Sequence, residues 1–253
     1  MQHKATYGLI GKKLSHSFSQ KYFTEKFKQL GINNRHEYLL FEIENVNEVK
    51  NIVNKYHALK GLNVTIPFKS DILELADEVS EEVKIIGAAN TIKIIKSENN
   101  IKLKAYNTDI VGFRLSIAPF IFKNKKQKAL ILGSGGASKA VQYVLNQENI
   151  SYQIVSRIAE NNKISYQDLN AEILNASDFI INTTPLGMYP DLEQFPAIPY
   201  HFIKQNHIVI DLIYNPSETL FLKKCKEKTA NCVNGNLMLI TQAEAAWEIW
   251  CGK

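Results

Sequence analysis

The sequence predicts a two-domain α/β protein, and three observations carry that reading. Short apolar runs alternate with amphipathic stretches along the chain, the pattern of strand–helix–strand units. The chain's 253 residues exceed the usual single-domain size of roughly 100–150. Near the middle, Gly133-Ser134-Gly135-Gly136 follows an apolar strand and opens a helix, as a second unit would begin.

The elements follow in order. Residues 6–10 form the first expected strand. Phe18, Tyr22, Phe23, Phe27 and Leu30 then recur at helical spacing, and Gly31 supplies a natural end cap. Residues 38–43 read as a strand, and Val46, Val49, Ile52, Val53 and Tyr56 line a helix. The strand 61–66 is stopped by Pro67, which has no amide to donate. Residues 91–95 and 101–106 pair as a hairpin around 97–100, and a helix at 110–117 ends before Pro119. The second half opens with strand Lys128–Leu132 and helix 137–147. Strands at 152–155, 179–181 and 208–210 follow, with helices at 219–228 and 237–250. The last helix is apolar on more than one side (Leu237, Leu239, Ile240, Ala243, Ala246, Trp247, Trp250), so it is expected to pack between domains.

Composition narrows the function. A hydrophobic fraction of 45% with 22% charged residues excludes a disordered chain. No apolar run approaches the roughly 18 residues of a membrane span, and the first residues carry no signal-peptide core, so a cytoplasmic protein is expected. Cys225, Cys232 and Cys251 lack the C-x-x-C spacing of a zinc site and read as reduced thiols. His3, His16, His36, His57, His201 and His207 show no ligand spacing, so no metal is expected. The net charge of +5 is spread over scattered lysines, with arginine only at positions 35, 114 and 157, which argues against a nucleic-acid binder. Hydrolase motifs such as G-x-S-x-G and H-E-x-x-H are absent, and His16 and Ser17, being adjacent, do not form a nucleophile–base pair.

Two features of the second half point to a dinucleotide. The segment Gly133, Gly135, Gly136, Ala137 and Ser138 sits between a strand and a helix, as a G-x-G-x-x-G/A loop must. Its glycines let the backbone approach a pyrophosphate, and the helix start offers free N–H groups. The next strand ends in Ser156-Arg157, with no acidic residue from Ser151 to Ala159. A carboxylate there would hold the ribose 2′-hydroxyl of NAD, whereas a hydroxyl with a guanidinium accepts the 2′-phosphate of NADP.

In the first half, polar residues gather at the ends of apolar segments. Ser17 and Ser19 open the first helix, while Asn63, Thr65 and Lys69 surround the end of the third strand. Asn90 precedes another strand, and Asn107-Thr108-Asp109 follows the hairpin. A small polyhydroxylated carboxylate calls for hydroxyl, amide and ammonium groups of this kind, although each residue alone also reads as an ordinary cap, turn or solvated side chain.

Together these segments resemble the shikimate dehydrogenase family. The likeness rests on His16-Ser17-Phe18-Ser19, Asn63-Val64-Thr65-Ile66-Pro67-Phe68-Lys69, Gly87-Ala88-Ala89-Asn90-Thr91 and Asn107-Thr108-Asp109-Ile110-Val111-Gly112-Phe113. In the second half it rests on the glycine loop, Asn182-Thr183-Thr184-Pro185-Leu186-Gly187-Met188, residues 211–216 and residues 235–242. The resemblance implies NADP-dependent interconversion of 3-dehydroshikimate and shikimate in aromatic (chorismate) biosynthesis. It implies that Ser17, Ser19, Asn63, Thr65, Asn90, Tyr214 and Gln242 bind substrate, with the serines at its carboxylate. Lys69 and Asp109 become the catalytic pair. Thr184, Leu186, Met188, Leu212 and Gly235 join the glycine loop, Ser156 and Arg157 around the cofactor. Two positions depart from the family: Gln20 replaces a proline, and Ser156-Arg157-Ile158 replaces Asn-Arg-Thr.

The expected organisation is a substrate domain over 1–105, completed by the C-terminal helix 236–253, and a Rossmann-like NADP-binding domain over 106–235, with the site in a cleft between them. The expected partner is a small molecule, in a monomer or homodimer, without membrane or nucleic acid. The alternatives are a quinate/shikimate dehydrogenase with relaxed NAD/NADP use, a catalytically silent NADP-binding sensor, and a pocketed scaffold for another enzyme of the pathway.

Overall fold

The computed structural model describes residues 4–15, 17–97 and 100–252. His3, His16 and the hairpin tip at 98–99 lie outside the described residues. The chain divides into two compact units, one of residues 1–108 with 243–253, the other of residues 109–242.

The first unit holds a six-stranded sheet in the order β2-β1-β3-β5-β6-β4. Its strands are β1 (Ala5–Gly11), β2 (His36–Glu42), β3 (Leu59–Val64), β4 (Glu78–Val79), β5 (Thr91–Ser97) and β6 (Asn100–Tyr106). β1 runs parallel to β2 and β3, whereas β5 is antiparallel to both β3 and β6. The carboxyl ends of β1, β3 and β6 and the amino end of β5 therefore share one edge of the sheet.

Both faces of this sheet are apolar. Side chains alternate across a strand, so Ile10 joins a core with Val49, Leu62, Ile72 and Ile92, while Tyr7 and Leu9 face Phe23, Phe27 and Trp250. The first core is roofed by α2 (Glu48–Lys55) and α3 (Glu81–Ile86), the second by α1 (Phe18–Gln29) and the end of α8 (Asn236–Cys251). Trp250 sets how close α8 comes: its indole N–H donates to Ile92 O at 3.0 Å, and a Cβ on Gly61 would collide with its ring. The carboxylate of Glu244 on α8 takes bonds from the Tyr22 hydroxyl and from Lys26, whose Nζ lies 2.8 and 2.6 Å from its two oxygens.

The second unit holds an all-parallel sheet, β12-β11-β10-β7-β8-β9. Its strands are β7 (Lys128–Leu132), β8 (Ser151–Ser156), β9 (Lys163–Ser165), β10 (Phe179–Asn182), β11 (Ile208–Asp211) and β12 (Asn231–Val233). Renumbered from β7, that order is 3-2-1-4-5-6, the doubly wound arrangement whose switch point lies between its first and fourth strands. Burial on both faces accounts for the unbroken apolar runs at 129–132 and 179–181. The unit's helices are α4 (Asp109–Ile117), α5 (Gly136–Gln147), α6 (Ala171–Asn175) and α7 (Leu220–Lys226). The start of α8 also belongs here, because Gly112 on α4 lets the Met238 backbone approach with no room for a Cβ. The compact units divide α8 after Gln242, and the first stretch of the first unit ends at Thr108.

His207, just before β11, is fully buried. Its Nδ1 accepts the Lys204 amide at 2.9 Å, which leaves Nε2 to donate to Leu174 O at 3.1 Å. Burial lowers its pKa, against the pull of the Leu174 carbonyl. A depressed histidine contributes stability above its unfolded pKa of about 6.5 and loses that contribution as pH falls. In urea unfolding, the advantage of wild type over His207→Gln should be larger at pH 7.5 than at pH 5.5. An equal advantage at both would contradict a neutral, buried His207.

Candidate functional site

In the first unit the sheet edge gathers three of the expected substrate residues, Asn63, Thr65 and Asn90. Asn63 is the last but one residue of β3, and Thr65 follows the strand, with its amide on Ile10 O at 3.0 Å. Asn90 precedes β5 and Thr108 follows β6, so the antiparallel register brings residues far apart in sequence to the same end. A buried polar network ties them together. The Tyr38 hydroxyl donates to Asn63 Oδ1 at 2.7 Å, and Asn63 Nδ2 donates to Thr91 Oγ1 at 3.3 Å and Asn90 O at 3.4 Å. Asn90 Oδ1 accepts from the Thr108 amide at 2.7 Å and from the Thr91 and Thr108 hydroxyls, each at 3.1 Å. Burial pushes the Tyr38 phenol well above its ordinary pKa, and a bond from the Ser19 side chain partly offsets this. Ser17 is the N-cap of α1, its Oγ accepting the Ser19 amide at 3.2 Å.

Lys69 is half-buried in the turn after β3, where its carbonyl accepts the Ala89 amide at 2.7 Å. Asn107 is buried, donates Nδ2 to Ala88 O at 2.9 Å, and keeps Oδ1 without a partner. Tyr38 had no signal in the sequence beyond its place in a strand, and Thr91 and Thr108 entered only as members of longer segments, since only the sheet register reveals their bonds.

In the second unit the expected cofactor residues cluster at the switch point. Asp109, the first residue of α4, is buried, and Gln242 donates Nε2 to Leu239 O at 2.9 Å within α8. Gly133 leaves β7 at φ +106°, and its amide donates to Val155 O at 2.8 Å, so the end of β8 lies beside the glycine loop. A Cβ at Gly133 would stand 2.7 Å from Thr183 Oγ1 and 2.9 Å from Thr184 Cγ2. Glycine is thus required both for its backbone and for the close approach of the loop after β10. Gly135 has open space around it, and Gly136 and Ala137 begin α5. Ser138 is fully buried, its Oγ accepting Gln142 Nε2 at 3.0 Å.

Beyond β8, the Ser156 hydroxyl donates to the Ile158 carbonyl, while Arg157 is exposed. Arg157 lies close enough to Tyr166 to lower its phenol pKa against the raising effect of burial. Tyr166 Oη is buried without a hydrogen-bond partner, and sequence reasoning did not single it out.

On the other side of the switch point, Asn182 and Asp211, both fully buried, end β10 and β11. Asn182 Oδ1 accepts the Thr184 amide at 3.0 Å and the Thr184 hydroxyl at 2.7 Å. Burial raises the Asp211 pKa to about 6, although Thr219, Ile213 and Asn182 all donate to its carboxylate. Gly235 is buried with its amide on Ile213 O at 3.0 Å, and a Cβ there would strike the Leu212 carbonyl. Leu212 and Tyr214 are half-buried after β11, and Met188 is exposed.

These residues fit an NADP molecule. A cradle without side chains, a helix start and a guanidinium where a carboxylate would repel phosphate are all present within one unit.

Known proteins are similar to the chain over nearly its whole length. Residues 9–92 match the family model described as the shikimate dehydrogenase substrate binding domain. A shikimate dehydrogenase (NADP(+)) from Methanococcus aeolicus is 42% identical over 261 residues, covering 97% of this chain and 91% of that protein. Among solved structures, a shikimate dehydrogenase in complex with NADP+ superposes with a TM-score of 0.85 at 33% identity, covering 99% of this chain and 91% of its own. A shikimate 5-dehydrogenase from Listeria monocytogenes in complex with shikimate and NAD gives a TM-score of 0.82 at 25% identity, covering 100% of this chain and 93% of its own.

Proposed function

The chain belongs to the shikimate dehydrogenase family, and from that premise we propose that it interconverts 3-dehydroshikimate and shikimate with NADP(H). The observation that carries the cofactor half is the end of β8, where Val155 meets the glycine loop and Arg157 follows two residues on, in a stretch free of carboxylates. NADPH, when bound, supplies the hydride that reduces the ketone.

Lys69 gives a proton to the oxygen that becomes the alcohol, takes it back in the reverse direction, and as an ammonium stabilises the negative charge developing there. Asp109 is the other member of the catalytic pair and takes a ring hydroxyl. Ser17 and Ser19 hold the substrate carboxylate; Asn63, Thr65, Asn90, Tyr214 and Gln242 hold the rest of the molecule. This assignment is supported by motif position and, within the first unit, by the shared sheet edge of Asn63, Thr65 and Asn90. Gly133, Gly135, Gly136, Ala137 and Ser138 take the pyrophosphate, and Thr184, Leu186, Met188, Leu212 and Gly235 line the nicotinamide side. The substrate domain spans 1–105 with 236–253 and the cofactor domain 106–235, to within the few residues by which the compact units differ. No described helix is long and apolar enough to cross a membrane. We place the enzyme in the cytoplasm, as a monomer or homodimer.

One observation favours a second reading, a quinate/shikimate dehydrogenase with relaxed cofactor use. The Ser156 hydroxyl spends its proton on Ile158, so Arg157 faces a 2′-phosphate without that donor. Steady-state kinetics with shikimate and quinate, each under NADP and NAD, separate the two. The first reading requires the highest kcat/KM for shikimate with NADP, and equal values across the four pairs would favour the second.

A further inference from the structure

The strongest unassigned feature is a chain of buried hydrogen bonds running from β11 to the loop after β10. Asp211, fully buried, accepts Asn182 Nδ2 at 3.0 Å, the Ile213 amide at 3.1 Å and the Thr219 hydroxyl at 2.5 Å. A carboxylate facing three donors accepts only, which fixes the Asn182 amide with its nitrogen toward Asp211. Asn182 Oδ1 is thereby aimed at Thr184, where it takes both the backbone amide and the hydroxyl. The Thr184 hydroxyl has then given away its proton, and its oxygen accepts the Leu186 amide at 3.3 Å. The start of this loop is held separately, by the Thr183 amide and hydroxyl on Leu132 O at 2.9 and 2.8 Å. The same threonines close on Gly133, so the loop packs directly against the glycine cradle.

We propose that Asn182, fixed by Asp211, is a positioning residue that sets the backbone of Thr184–Leu186 and through it the place of the nicotinamide. The inference rests on the reading above, in which Thr184, Leu186 and Met188 line that side of the cofactor. Asn182 touches neither substrate nor cofactor; it removes the rotational freedom of the Thr184 hydroxyl. Without it, two donors of Thr184 lose their acceptor and Leu186 loses a fixed one.

The test uses Asn182→Ala with three readouts. In the cofactor-free protein, amide hydrogen exchange in the 183–188 segment should speed up while exchange in α5 stays as in wild type. The kcat for shikimate oxidation should fall about tenfold, the scale of one lost positioning hydrogen bond, with the shikimate KM unchanged. In the reverse reaction, reduction of 3-dehydroshikimate, the isotope effect with NADPH deuterated at the transferred position should rise, because hydride transfer would become slower relative to release. A purely structural role would instead speed exchange throughout the unit and leave kcat per folded molecule and the isotope effect alone, and that result overturns the proposal. If Asn182→Ala does not fold, Thr184→Val keeps the backbone bond but deletes the hydroxyl that holds Leu186. It should show the same pattern at smaller size, and wild-type behaviour would overturn the proposal. Should wild type itself not oxidise shikimate, the functional reading fails, while exchange in the loop still judges whether Asn182 orders it.

Discussion

Lys69→Ala should lower kcat for shikimate oxidation by roughly 10²–10⁴-fold, the usual scale for removing a positioned acid–base group. Lys69 sits directly after the β3 edge that carries Asn63 and Thr65, and its backbone is fixed by the Ala89 amide. The side chain therefore leaves from an anchored turn rather than from a free loop. Reduction leaves an oxygen that needs a proton, and an alanine offers neither the proton nor the charge. The shikimate KM should change much less than kcat, because Ser17, Ser19 and the amide groups remain. A Lys69→Ala enzyme with near-normal kcat and a raised KM would reassign Lys69 to substrate binding. Stopped-flow and steady-state measurements of NADPH formation distinguish these results.

The second large effect belongs to Arg157. Arg157→Ala should weaken NADP binding by about 10- to 150-fold, as expected for losing a charged hydrogen bond of about 1.5–3 kcal/mol. NAD, which has no 2′-phosphate, should bind as before. The effect is concentrated on this residue because the Ser156 hydroxyl is committed to the Ile158 carbonyl. Arg157 is exposed and lies one residue beyond β8, so its removal opens no cavity in the core. Fluorescence titration of both cofactors checks the prediction, and unchanged NADP affinity would sink it.

Much of the scaffold was legible in the sequence because its strands are buried on both sides. Runs such as Ala129–Leu132 and Phe179–Ile181 have no solvent face, so they read as strands without any alternation. The short elements were not legible. β4 has two residues, β9 and β12 three each, and α6 five, too few for any period to emerge. They exist because a neighbouring strand or core offers them bonds and burial.

The site divides the same way. The glycine loop and Arg157 could be read locally, since their chemistry lies in consecutive residues. The bonds from Tyr38 to Asn63 and from Asn182 to Asp211 could not, because each joins residues of different strands, 25 and 29 residues apart. Asn182 and Asp211 entered the sequence reading only as members of matched segments. Their roles became visible once the parallel register set their side chains against each other.

Oxidation of shikimate with NADP is directly observable. Purified protein mixed with shikimate and NADP should give a steady rise in NADPH absorbance that scales with enzyme and is lost in Lys69→Ala. Bound NADP with no NADPH formed, under this pair and with quinate or NAD substituted, would contradict the account and favour a cofactor-binding sensor.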